Sequence, residues 1–442
     1  MRLSFLFFGA TSAIGLKHAS AFTASFSSRC HPHSLSRSRT SDLMISCTKL
    51  HSSKSEEEKN ESTESYRPGS LMAATAEYGR VPYGEESRKF RRTEYKYQDW
   101  VQHRNTEKVV TNIQGMFFSG IIRQLKEEVH LVALAAAVVV VWNDFLFAQS
   151  LPMPNVLNGE SALPTLSIPK LTLPALPFTL SSPALGLLLV FKTNASYARW
   201  SEARNTWSKV IAQSRNAIRM VSTFVDENND ICSEEDYLMV TQLSNAIWLL
   251  SRTLMNSLSS PEDEQNYRNE VMEVYSSSGS EKDLHVAKKM IESSDRTMLA
   301  LAHASKALNA VPVDEKRRVE TDKSLVIIGD CIGVCEKIYS SPVPLVYTRH
   351  TGRFLSLWMI LLPTALYDAF YDKNVLDTTF GTLQCLPLIP ATALVGLFLF
   401  GIEELAIQLE EPFSILPMQK FCDDIKRSSN TIQSWCLRDD SP

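Results

Sequence analysis

Charge is distributed very unevenly along the chain, and its gaps set the first expectations. Residues 131–149, 171–191, 354–367 and 383–402 are free or nearly free of charge, and charged segments with helical periodicity separate them. The pattern predicts membrane spans near 129–149, 183–199, 354–372 and 383–402. Two of the uncharged stretches are shorter than the roughly 20 residues a lone span requires, so neighbouring helices should shield them. Nothing alternates with period two for long, and the predicted class is all-α. Four spans return the chain to its starting side. Basic residues crowd 88–128 but only Lys170 falls within 150–182, which places the N-terminus, the 199–353 region and the C-terminus on one face.

A soluble helical part is expected over 200–353. Trp200, Ala203, Trp207, Val210 and Ser214 share one helical stripe, and Arg199 could pair with Glu202 one turn away. Segments 236–258, 284–310 and 319–340 repeat the amphipathic pattern. Residues 226–236 and 259–283, rich in Asp, Asn, Ser and Gly, are expected to be exposed loops. Seven prolines between Pro152 and Pro183 rule out a regular helix there, so the second span should begin near Pro183, at a first-turn position.

From that proline an apolar helix runs without a break into one carrying Arg199, Glu202 and Trp200. Pro183, Leu187 and Phe191 recur every four residues and share a face, with Ala184 beside them and the polar Asn194 one turn on. Such a stripe suits the neck of a pore, but on spacing alone packing by neighbouring helices on all sides is the better explanation.

Before this core the chain resembles an address label. Residues 1–22 combine an apolar run with a small-x-small ending, Ala19-Ser20-Ala21-Phe22, and no acidic residue precedes Asp42. A signal peptide followed by a Ser- and Arg-rich transit peptide (1–50) is the expectation, resembling the two-part presequence of algal plastids. An ordinary secretory signal with a disordered head is the alternative. Residues 51–87 read as a disordered linker, 88–420 as the membrane and helical domain, and 421–442 as a C-terminal tail.

The segment Phe191-Lys192-Thr193-Asn194-x-x-Tyr197-x-Arg199-Trp200-x-Glu202-Ala203-Arg204-x-x-Trp207 resembles the hallmark of the bestrophin and bestrophin-like anion channels. Three further blocks agree in order. Asp99-Trp100-x-x-His103-Arg104 is similar to an entry helix of the plastid thylakoid chloride-channel branch. Pro344 to Pro363, with Arg349, His350 and Arg353, resembles the start of the third membrane helix. Gly401-Ile402-Glu403-Glu404 through Pro412-Phe413 resembles the closing signature. The resemblance covers roughly residues 95–420. It implies a homopentamer with a central pore lined by Pro183, Ala184, Leu187 and Phe191 and a ledge at Asn194. Tyr197, Arg199, Trp200, Glu202, Arg204, Arg349, His350, Arg353, Glu403, Glu404, Pro412 and Phe413 are then structural motif positions. The implied activity is passive conduction of chloride, bicarbonate or both across a plastid membrane, the thylakoid by the branch resembled. A secondary transporter or a non-conducting scaffold of the same fold are the alternatives, although no inverted repeat supports the former. Five helix N-termini around an axis would draw anions inward, and aromatic edges at Phe191 would attract them weakly without trapping them. Animal bestrophins carry an acidic run after their Asn-Pro-Phe that helps clasp calcium. Here Ser414-Ile415-Leu416-Pro417 follows Phe413, so calcium gating through this element is not expected.

Enzymatic readings find little support. Cys331 and Cys335 are the only close cysteine pair, and no His or Cys follows at zinc spacing. His350 suits a hydrogen bond better than acid–base work. Glu403-Glu404 and Glu410-Glu411 could be paired carboxylates, but solvating a helix end and pairing with nearby basic helices explains them better. Neither a metal nor another cofactor is expected. The partners are permeant chloride or bicarbonate, membrane lipid and further copies of the chain. A net charge of −4 gives no general affinity for nucleic acid. Asp144, beside Asn143 within the first span, calls for a partner inside the bundle.

Overall fold

The computed structural model describes residues 92, 95–104, 120–147, 169–228, 234–276, 281–371 and 385–436. All lie in one compact unit, Arg67–Pro442. The expected presequence, the linker and most of the proline-rich connection lie outside the described residues. Among those described, all regular structure is helical.

Two short helices, α1 (Tyr97–His103) and α2 (Gly120–Gln124), precede α3 (Lys126–Val141), which continues as a π-helical turn over Trp142–Phe147. Next comes α4 (Leu176–Asn228), 53 residues in one helix and therefore about 80 Å long. The helical part continues through α5 (Glu234–Leu258), α6 (Asp263–Ser276), α7 (Glu281–Glu292), α8 (Arg296–Ala310) and α9 (Glu315–Ser340). Then follow α10 (Leu345–Phe370), α11 (Leu388–Glu410), a single 3₁₀ turn at Pro412–Ser414, and α12 (Met418–Cys436).

The length of α4 lets one helix serve two cores. Its first half gives Leu185 and Leu189 to a cluster with Val132 of α3, Leu355, Met359 and Leu362 of α10 and Phe400 of α11. Its second half gives Ala203, Trp207, Val210, Ile218 and Val221 to a larger core built with α5 to α9 and α12. The predicted Trp200–Ser214 stripe therefore faces inward, with Trp200 partly buried at its edge. At the centre of that core lies α5, where residues 246–254 are all buried, as befits a helix with partners on every side.

Several boundaries differ from expectation, each for a local reason. The helix expected to open near Pro183 begins at Leu176, and Pro183 lies inside it. Pro177 takes the first-turn position, where a missing N–H costs nothing. The polar 259–283 stretch is not simply loop: α6 occupies Asp263–Ser276 and buries Tyr267, Val271, Val274 and Tyr275. Its acidic first turn, Asp263 and Glu264, suits the positive end of a helix. The amphipathic segment 284–310 is two helices, because the Asp295 side chain accepts a hydrogen bond from the Met298 N–H and caps α8. Of the expected tail 421–442, the described part to Cys436 belongs to α12. Phe421, Cys422, Ile425 and Ile432 of α12 are buried in the larger core.

Among the described residues two helices, α4 and α11, are long and apolar enough to cross a membrane by composition. The α-helical part of α3 has 16 residues, short for a lone span. In α10 the first turns carry Arg349, His350 and Arg353.

Candidate functional site

The stripe foreseen on α4 is uncovered in the single chain. Pro183, Ala184, Leu187, Phe191 and Asn194 are all exposed; Leu187 keeps 54% and Phe191 55% of its accessible surface. Two turns earlier Leu180 is 71% exposed on the same face. On the opposite face Leu185 and Leu189 are buried. Among the described residues no neighbour covers this face. A row of large apolar side chains left open asks for a cover other than water, either lipid or further subunits.

Behind the stripe, α4 is fastened at several levels. The Lys192 ammonium pairs with Glu403 of α11 at 2.9 Å, with only 3% and 14% of the two side chains exposed. Gly352 of α10 makes room for that pair, since a Cβ there would lie 2.9 Å from Glu403 Oε1. Tyr347 of α10 donates through its hydroxyl to the Leu188 carbonyl at 3.0 Å, and Trp358 Nε1 donates to Ser181 Oγ at 3.1 Å. The Leu173 N–H donates to the Thr364 carbonyl at 3.1 Å. These contacts run antiparallel, so residues 349–353 lie level with about 184–187.

The motif residues below the stripe have structural work. Arg199 does not pair with Glu202. Its guanidinium donates to the carbonyls of Ile338 (2.7 Å) and Ser341 (2.5 Å) at the end of α9, and of Glu410 (3.1 Å) at the end of α11. One cation thus satisfies acceptors left over at two helix C-termini, where the helix dipole also favours positive charge. Glu202 pairs instead with Lys337 of α9 at 2.8 Å. Arg204 bonds to Ser208 Oγ at 2.6 Å and lies 4.7 Å from the centroid of the Phe421 ring. Tyr197 and Trp200 stack at 5.8 Å. Pro412 and Phe413 are buried, and Glu410 Oε1 accepts from the Val343 N–H at 3.0 Å. Glu404 is buried and accepts from Gln408 at 2.7 Å. Arg349, His350 and Arg353 are exposed on α10.

Polar groups form two levels separated by apolar helix. At one, Lys170 pairs with Asp368 at 2.5 Å, Tyr367 bonds to Asp144, and Asn143 exchanges hydrogen bonds with the Leu171 backbone at 2.8 and 3.1 Å. The partner that Asp144 required is therefore Tyr367. At the other level stand Lys192, Glu403 and the α10 cations. Along α10, Arg353 and Asp368 are about 22 Å apart and Arg349 and Asp368 about 28 Å, close to the thickness of a bilayer's hydrocarbon core.

Other titratable groups lie in the helical part. Arg252 is fully buried between Asp263 (2.8 Å) and Glu270 (2.5 Å). Hydrogen bonds from Arg296 hold the Glu264 carboxyl down at about 2. Cys331 and Cys335 are free and buried, and burial pushes the Cys335 thiol up to about 12. Among the described residues no three metal-ligating side chains cluster. Sequence reasoning missed Lys192, Gly352 and Trp358 as positioning groups. Lys192 stood in the quoted motif, but its buried partner is 211 positions away.

A helical bundle with one rod shared between an apolar bundle and a charged helical domain defines the class of architecture. The family model described as "Bacterial/Fungal Bestrophin protein" matches residues 99–431, and the chain belongs to the bestrophin family. It is 28% identical over 334 residues to voltage-dependent chloride channel 1, chloroplastic, of Arabidopsis thaliana, covering 75% of this chain and 71% of that one. It is 27% identical over 340 residues to voltage-dependent chloride channel 2, chloroplastic, of the same plant, covering 77% and 73%. A crystal structure of a bestrophin homologue from Klebsiella pneumoniae, carrying a point mutation, shares the fold with a TM-score of 0.52 at 21% identity, over 71% of this chain and 99% of that one.

Proposed function

We propose that this protein is a passive anion channel of a plastid membrane, conducting chloride, bicarbonate or both through a homopentameric pore. The observation that carries the reading is the uncovered stripe of α4. Leu187 and Phe191 are exposed while the helix behind them is anchored by a buried ion pair. Five such stripes meeting on an axis would cover one another and leave a narrow, ring-edged waist. Aromatic edges attract an anion weakly enough for it to leave, and an apolar constriction can gate by dewetting. The two polar levels support four spans formed by α3, the first half of α4, α10 and α11, with α3 shielded by its neighbours. Asn194 would offer a polar ledge just past the neck. The two Arabidopsis relatives, named as chloroplastic chloride channels, and the two-part presequence pattern support the plastid; the thylakoid is the membrane proposed. After Phe413 the Ser414 carbonyl accepts from Arg92 Nε at 3.0 Å, so a guanidinium engages this turn, and channel opening is proposed to be independent of calcium.

Purified protein in a planar bilayer tests the reading. Unitary anion currents are expected, and Phe191→Ala should shift the reversal potential in a salt gradient towards cation permeability. Electroneutral coupled flux would point to a transporter, and silence of well-folded protein to a scaffold; either overturns the channel.

A further inference from the structure

We propose that Arg349, His350 and Arg353 of α10 bind the phosphate headgroup of an anionic lipid in the leaflet nearer the soluble helices. All three are exposed, and among the described residues none makes a hydrogen bond or ion pair. The inference rests on the reading of α10 as a membrane span. Its depth follows from the opposite polar level: Lys170 and Asp368 lie about 28 Å from Arg349 along the helix, one hydrocarbon thickness away. The cations therefore sit at headgroup depth.

Their face continues in the right chemistry. Arg349, Arg353, Leu357 and Ile360 fall on one side of α10, and the two apolar side chains are exposed, as an acyl chain running down from the headgroup requires. Arginines four residues apart are close enough to share one phosphate, whose oxygens accept their planar donors well. Glu403 does not neutralise them. It is held by Lys192 at 2.9 Å beside Gly352, at the edge of the α10 face that packs inward, and pairs with neither arginine.

The test uses the full chain in a non-ionic detergent, titrated with phosphatidylglycerol or phosphatidylcholine of the same acyl chains and read by native mass spectrometry. Wild-type protein should prefer phosphatidylglycerol. The R349Q/R353Q variant should bind it about thirty-fold more weakly, and each single variant about five-fold, the loss per charge typical near a lipid surface. Phosphatidylcholine binding should not change, nor should Arg427→Gln on α12 alter either lipid. Undiminished phosphatidylglycerol binding in both single variants and the double variant overturns the site. Displacement of the lipid by millimolar inorganic phosphate would make it a free-anion site. Loss of the oligomer with the substitutions would make it a subunit contact. Absence of any lipid on wild-type protein would overturn the membrane reading as well, and so separates the two failures.

Discussion

Glu403→Gln should destabilise the protein more than Lys192→Met, although the two remove the same ion pair. Lys192 is 3% exposed and Glu403 14%. Without Glu403 the ammonium is left charged, enclosed and far from water. Without Lys192 the carboxylate can still reach solvent in part. Breaking a buried pair from one side costs about 3–5 kcal/mol, most of it the stranded charge, whereas replacing both members is close to neutral. We therefore expect Glu403→Gln at the top of that range, Lys192→Met about 1–2 kcal/mol milder, and the double variant close to wild type. The coupling between the two sites should then approach the sum of the two single losses. Thermal unfolding of the detergent-solubilised protein, followed by circular dichroism, ranks the four proteins. Equal losses in both single variants, adding in the double variant, would refute the claim that desolvation of Lys192 is the dominant cost.

Three further outcomes follow from the geometry. Gly352→Ala places a methyl group 2.9 Å from Glu403 Oε1, so it should push the carboxylate off Lys192 and lower the melting temperature. In a Lys192→Met/Glu403→Gln background the same change should be milder; equal effects in both would contradict the packing described. Arg199→Ala unfastens the ends of α9 and α11 from α4 and should cost about 2–4 kcal/mol, with Arg199→Lys restoring only part. Full restoration by lysine, in the same melting assay, would mean that charge alone matters. Hydrogen bonding and charge from Arg296 and Arg268 lower the Glu264 carboxyl from 4.5 to about 2. Its contribution is complete above about 4.5 and fades as the pH falls towards 2. Glu264→Gln should therefore flatten the melting temperature against pH between those limits, and an unchanged slope would remove the pair from the acid response.

Chain chemistry alone determined a good deal here. An absence of charge over four stretches, helical periodicity elsewhere and no period-two segment specify helices, because each is a local consequence of side-chain direction along a 3.6-residue repeat. The same periodicity put Leu187 and Phe191 on one face of α4, and the structure leaves that face open. Composition misled where a helix is polar for most of its surface. In α6 four buried residues sit among Asp, Asn and Glu, and their spacing only acquires meaning once another helix supplies the other half of the core. Proline-rich sequence was likewise ambiguous between Pro177 and Pro183 as a starting point, since both could open a helix in isolation.

Partnership was decided by tertiary structure. Arg199 has a carboxylate one turn away in sequence, yet it serves carbonyls 139 to 211 positions distant. Helix ends converge there, and three unsatisfied acceptors outcompete one solvated glutamate. Lys192 and Glu403 meet because α10 offers a glycine at their crossing. Periodicity tells which way a side chain points from its own helix. What it meets depends on how helices far apart in the chain are brought together, and burial then fixes the energy of the meeting.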